Sequence, residues 1–199
     1  MTPKKKKTKR DLQAEETKNK IIQATMSIME KKGFQNITIQ EINNRAGVSV
    51  GTFYHYFTNK DDVFFELYKE ADDFFKEEVE IDLYAEDLHS LERIVRFFSW
   101  YARFNNKNGL EYVRQLYNTN NKFFISEDRY MIRLLDRIVS EGMEKGEVTT
   151  ELSPMGVVRH LFMLARGIVF DWCLHEGEDN LEQLMTNYFR RIITSFQNP

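Results

Sequence analysis

Residues 38–60 read TIQEINNRAGVSVGTFYHYFTNK. This stretch predicts two short helices joined by a tight turn. Thr38 and Glu41 have capping-box spacing, in which each side chain satisfies an orphan amide of the first helical turn. Ala46-Gly47 makes the turn, because a small residue permits close helix approach and Gly tolerates positive φ. Ser49 caps the next helix. On it, Phe53 and Phe57 are four residues apart and face a small core, while Thr52, Tyr54, His55 and Tyr56 project elsewhere. A second helix so dressed with hydroxyls and aromatics suits entry into the major groove of DNA.

Across the whole chain the charge is divided. Residues 1–60 hold 12 Lys plus Arg against 5 Asp plus Glu, and residues 61–199 hold 16 against 26. A basic end approaches a polyphosphate and an acidic body is repelled by it. Six of the basic residues lie in Lys4–Arg10, so the argument leans on that segment; without it the head is close to neutral. The segment could reach along the DNA backbone or into a minor groove, or serve only solubility. Residues 1–14 are predicted to be a disordered basic tail, with the first helix from Thr17 to Lys32 and Gly33 as its cap.

Periodic apolar spacing recurs throughout, strand-like alternation is rare, and the chain is read as all-α with about nine helices. The expected later helices are 60–82 (capped by Asn59), 88–105, 109–120, 128–145, 154–174 and 180–196. Ser153-Pro154 is a strong helix start, and Asp179 with Glu182 has capping-box spacing. The predicted organisation is a tail at 1–14, a helix-turn-helix DNA-binding domain at 15–60, and a ligand-binding and dimerisation domain at 61–199. No apolar run approaches the roughly 20 residues of a membrane span. Cys173 is the single Cys, which excludes an internal disulfide framework and a multi-Cys metal site. The four His lack metal-motif spacing, and no paired nucleophile and base or phosphate loop occurs. Neither metal, cofactor nor enzyme activity is therefore expected. An enzyme and a nonspecific or architectural DNA binder are the competing readings.

The order of a helix from Thr17, Gly33-Phe34, Thr38, Ile42, Ala46-Gly47-Val48-Ser49, Gly51-Thr52, Tyr54, Phe57 and Lys60 strongly resembles the TetR family of bacterial transcriptional regulators. The close match covers about residues 17–64; beyond it only the architecture agrees. The resemblance implies a three-helix DNA-binding domain, a larger helical ligand-binding domain, a homodimer, a cytoplasmic place at the nucleoid, and repression of a palindromic double-stranded operator relieved by a small-molecule effector. Asn43 stands where the family often has Ala, and Tyr56 where it often has His. Carried over by position, Thr38 and its amide would hold a phosphate at a helix N-terminus. Ser49, Val50, Gly51 and Thr52 would lie nearest the base edges. Tyr54, Tyr56 and Lys60 would contact backbone phosphate, and His55 a base or a phosphate. Each has a plainer reading: Thr38 and Ser49 as caps, the tyrosines as packing aromatics, Lys60 as solvated surface.

In the body, Phe97, Phe98, Trp100, Tyr101 and Phe104 crowd eight positions, followed by Tyr112, Tyr117, Phe123, Phe124, Phe162 and Phe170. An apolar wall with a few polar anchors makes a ligand site. The candidates are Phe97, Trp100, Tyr101, Phe104, Tyr117, Phe162 and Arg166, although Ile94, Phe97, Tyr101 and Phe104 are also spaced as an ordinary core face. Residues 154–174 are apolar nearly all round. Such a helix is buried on every side, here inward and against a second subunit. With 180–196 it predicts a four-helix dimer interface, interrupted by Arg166 and Asp171, which are read as pairing with each other or across the dimer in preference to Arg166 anchoring an anionic ligand.

Overall fold

The computed structural model describes residues 8–32, 36–117 and 128–198. They form ten α-helices: α1 (Lys9–Lys32), α2 (Ile39–Ala46), α3 (Val50–Tyr56), α4 (Lys60–Phe74), α5 (Glu80–Leu83), α6 (Ser90–Asn108), α7 (Leu110–Leu116), α8 (Tyr130–Glu144), α9 (Pro154–Leu174) and α10 (Leu181–Ile192). The expected helix over 60–82 is divided by a π-helical turn at Phe75–Val79, which accounts for the tenth. Two compact units emerge, Met1–Tyr68 and Lys69–Pro199.

In the first unit α1 starts at Lys9, not Thr17, so the expected disordered tail is helical from there. The cause is local. The Thr8 amide and hydroxyl donate to Asp11 Oδ2 at 2.9 and 2.7 Å, and the Asp11 amide donates back to Thr8 Oγ1 at 3.2 Å. That reciprocal cap satisfies orphan donors which water would otherwise hold. Residues 1–7 and Gly33-Phe34 lie outside the described residues. Ile21, Met29, Ile42, Phe53, Phe57 and Val63 are buried and make a small core. Gly47 ends α2 at φ 68°, where its amide donates to the Asn43 carbonyl; only a residue tolerant of the left-handed region turns the chain so sharply.

In the second unit α6 is the central helix, packed by α8 and α10. Its Phe98 stacks on Phe189 of α10 at 4.1 Å between ring centroids and meets Phe162 of α9 at 5.4 Å. Phe97 meets Phe75 of the π turn at 4.9 Å. Close approach of α8 to the start of α6 depends on Gly142: a Cβ there would stand 2.6 Å from Val148 Cγ2 and 2.7 Å from Ser90 Cβ. Ser153 caps α9 by accepting from the Gly156 amide, with Pro154 in the first turn. Asn180, rather than Asp179, caps α10 by accepting from Gln183; Glu182 instead binds Arg103 and Ser99.

α9 buries Val157, Leu161, Phe162, Ala165, Ile168, Val169 and Trp172 within its own chain. Its third stripe stays open, with Met163 49% exposed, Phe170 50% and Leu174 63%. Gly167 on that stripe faces empty space. Tyr188 of α10 is likewise 47% exposed. Asp171 lies beside His175 at 3.6 Å and Arg166 lies over the Phe162 ring at 5.5 Å.

Candidate nucleic-acid interface and ligand site

Thr38 is the N-cap of α2, with both halves of a capping box in place. Its amide and hydroxyl donate to Glu41 Oε2 at 2.9 and 2.8 Å. The other carboxylate oxygen takes Lys32 Nζ at 2.5 Å. The Lys32 ammonium first, then the Thr38 amide and hydroxyl, hold the Glu41 carboxyl down at about 2, because each favours the charged form. The Thr38 amide is therefore engaged inside the chain, and a phosphate at this corner would compete with Glu41 for it. Lys60 reaches the same corner, its Nζ 3.3 Å from the Ile37 carbonyl, so the structure brings together two residues 22 positions apart in sequence.

Ser49 caps α3. Its Oγ accepts from the Thr52 amide at 3.0 Å and lies 2.8 Å from the Thr52 hydroxyl. Phe53 is wholly buried and fixes the helix on its core side. Away from the core, Val50 and Tyr54 are each 55% exposed, and Gly51 and His55 are exposed too. Tyr56 is half-buried and meets the His55 ring edge-on at 4.9 Å. The exposed face is thus Val50, Gly51, Tyr54 and His55, flanked by the hydroxyl pair. It offers methyl groups, a ring hydroxyl and an imidazole, the types that touch thymine methyls, phosphates and base edges. Gly51 is informative: a Cβ there would meet only Ser49 Oγ, at 3.8 Å. Among the described residues no steric contact requires Gly here.

The candidate ligand residues divide into two groups. Phe97, Tyr101, Phe162, Arg166 and Tyr117 lie together: Phe162 is 6.1 Å from Phe97 and 5.8 Å from Tyr101, Arg166 lies over its ring, and the Tyr101 and Tyr117 hydroxyls are 2.7 Å apart. Burial pushes both phenols up, Tyr117 well up, so they act as neutral hydrogen-bonding groups. Trp100 and Phe104 instead gather round Phe74, at 5.8 and 5.3 Å, and the Trp100 indole donates to Asp82 Oδ2 at 2.7 Å. Phe123 and Phe124 lie outside the described residues.

A pocket of about 210 Å³ opens between α7 and the end of α9, lined by Arg114, Tyr117, Phe170, Cys173, Leu174 and Glu176. Of these, only Tyr117 was a sequence candidate. Arg114 and Glu176 carry no local signal, being 62 positions apart. Burial pushes the Cys173 thiol up to about 11, which leaves little thiolate for nucleophilic chemistry. Among the described residues no group of three His, Cys, Asp or Glu could hold a metal ion, and no helix is long and apolar enough to cross a membrane.

Residues 21–67 match the family described as "Bacterial regulatory proteins, tetR family", and residues 113–195 match "YsiA-like protein, C-terminal region". The fatty acid metabolism regulator protein of Bacillus subtilis (strain 168) is 24% identical over 184 residues, covering 89% of this chain and 94% of its own. The crystal structure of FadR from Bacillus subtilis in complex with stearoyl-CoA superposes with TM-score 0.65 at 23% identity, over 89% of this chain and 97% of that one. Thermus thermophilus FadR in complex with lauroyl-CoA does so with TM-score 0.65 at 20% identity, over 89% and 93%. At these identities the structural likeness shows the fold.

Proposed function

The chain belongs to the TetR family of bacterial regulatory proteins, and from that membership we propose that it represses transcription by holding a palindromic operator as a homodimer, until a fatty acyl ligand releases it. The observation that carries the reading is the exposed face of α3, where Val50, Gly51, Tyr54 and His55 stand clear of the core that Phe53 anchors. Val50, Gly51 and the Ser49–Thr52 pair read base edges; Tyr54, Tyr56 and the Lys60–Thr38 corner hold phosphates. Two copies of α3 read half-sites one helical turn, roughly 34–36 Å, or a multiple apart. The open stripe of α9 and Tyr188 of α10 supply the dimer seam.

The acyl ligand is supported by the relatives' bound acyl-CoAs and by this chain's own interior. Phe97, Phe162, Tyr101 and Tyr117 offer apolar wall with two hydroxyls and the Arg166 guanidinium as polar anchors, the composition that ligand sites share. A ligand that binds better to a conformer with a different half-site spacing shifts the population away from DNA. The protein is read as a regulator rather than an enzyme, and its operator places it in the cytoplasm at the nucleoid.

Selection of duplexes from a random library tests this. The expected outcome is an enriched palindrome, released by lauroyl-CoA. Lys60→Ala and Tyr54→Ala weaken all sequences alike, and Lys60→Ala alone, which removes a charge, reduces the salt slope by about 0.9. Enrichment of no palindrome, or equal affinity for random duplex, overturns it.

A further inference from the structure

We propose that the pocket between α7 and the end of α9 seats the anionic head of an amphipathic effector, with Arg114 as the receiving cation and Glu176 as the internal carboxylate that the head displaces. The inference rests on the fatty acyl reading above and adds where the charged end of such a ligand goes. Arg114 is already positioned: its Nη2 donates to the Cys173 carbonyl at 3.1 Å and to Glu176 Oε2 at 2.5 Å. The first bond fixes the guanidinium at the C-terminal end of α9. The second is an ion pair at the surface, with Glu176 67% exposed, and such pairs are weak and exchangeable.

Glu176 is also the one non-glycine among the described residues with positive φ, at 55°. A side chain with a Cβ occupies that region at a cost, and here the left-handed turn is what brings the carboxylate over Arg114. Gly177 follows at φ 72°, packed against the Trp172 ring. The other walls, Tyr117, Phe170, Cys173 and Leu174, are apolar. An oxyanion replacing Glu176 thus finds a fixed guanidinium, and the carbon chain behind it finds apolar surface.

Size decides that this is part of a site. About 210 Å³ is below the 300–1,000 Å³ of sites that hold a whole small ligand. One lining residue joins it to the interior: Tyr117 also bonds Tyr101 among the interior aromatics. The charged end sits at Arg114 and the tail runs past Tyr117. Phe170 and Leu174 belong to the open stripe that a second copy covers, so a head seated here lies beside the dimer seam.

Titration calorimetry on the full chain with lauroyl-CoA, dodecanoate and free coenzyme A tests the assignment. Arg114→Ala is expected to lose tenfold or more in affinity, Arg114→Lys to lose less, and Glu176→Gln to gain severalfold because the competing carboxylate is gone. Dependence on Arg114 for lauroyl-CoA alone assigns a phosphate head; dependence for dodecanoate assigns a free carboxylate; either supports the proposal. Wild-type affinity in both Arg114→Ala and Glu176→Gln overturns it while leaving the acyl reading standing. If Arg114→Ala fails to fold, unchanged affinity in Glu176→Gln overturns it. If the wild type binds neither acyl compound, the acyl reading falls and this proposal with it.

Discussion

Gly51 and Ser49 stand so that a methyl group on Gly51 would lie 3.8 Å from Ser49 Oγ and touch nothing else within reach. Glycine in a helix costs about 0.5–1 kcal/mol relative to alanine. Among the described residues no contact uses the missing side chain, which fits the proposed close approach of this backbone to DNA. Gly51→Ala, in the first turn of α3, should raise the unfolding free energy by less than the roughly 0.5–1 kcal/mol of a helix interior, while lowering operator affinity tenfold or more. Denaturant melts and duplex titrations read the two effects separately. A variant that is both more stable and fully competent on DNA would show that the groove does not need the backbone so close.

Asn43 is 3% exposed in α2, and neither atom of its amide has a hydrogen-bond partner among the described residues. A buried, unpaired amide costs about 1–3 kcal/mol, and Asn is a poorer helix former than Ala. Asn43→Ala, which removes both penalties and little volume, should stabilise the protein by about 1 kcal/mol with operator affinity unchanged. Loss of DNA binding in this variant would reassign Asn43 from passive defect to functional group.

Glu41 sets an acid dependence. Its folded value of about 2 lies below the roughly 4.3 of an unperturbed Glu, so the carboxylate adds stability above about pH 5. That contribution fades as the pH falls from there toward about 2. The urea midpoint of the wild type should exceed that of Glu41→Gln at about pH 6–7, with the gap closing below about pH 4. A gap that stays constant from neutral pH down to strong acid would separate Glu41 from this titration.

Met163 tests the dimer seam without touching the α7–α9 pocket. It is 49% exposed on the open stripe of α9, so a charge there meets water in a single chain and apolar surface in a pair. Met163→Asp should sediment as a folded monomer and lose operator affinity, because one half-site contact then acts alone. A stable dimer in this variant would move the seam elsewhere.

Much of the helical frame was legible because caps are local chemistry. Thr38 with Glu41, Ser49, Asn59 and Ser153-Pro154 each bond within three or four residues, and spacing alone exposes them. The start of α1 escaped because Thr8 and Asp11 sit in a charged run that reads as unstructured, although they satisfy the same rule. The Asn180 cap was misplaced by one residue, since Asp179 is chemically as good an acceptor. The π turn left no trace, as its hydrogen-bond register has no compositional signature. At the sites, the α3 face followed from helical periodicity. The Arg114–Glu176 pair and the meeting of Tyr101 with Tyr117 are tertiary facts, fixed by how α6, α7 and α9 pack.

The π turn at Phe75–Val79 amounts to one residue of slack in an otherwise regular rod. Excising a single residue there would restore the ordinary i→i+4 ladder and rotate Phe74 by about 100° around the helix axis relative to α5. Phe74 would swing away from Trp100 and Phe104. The spare residue therefore works as a phase setting, and chain length at this point governs which way a ring faces rather than how far the helix reaches.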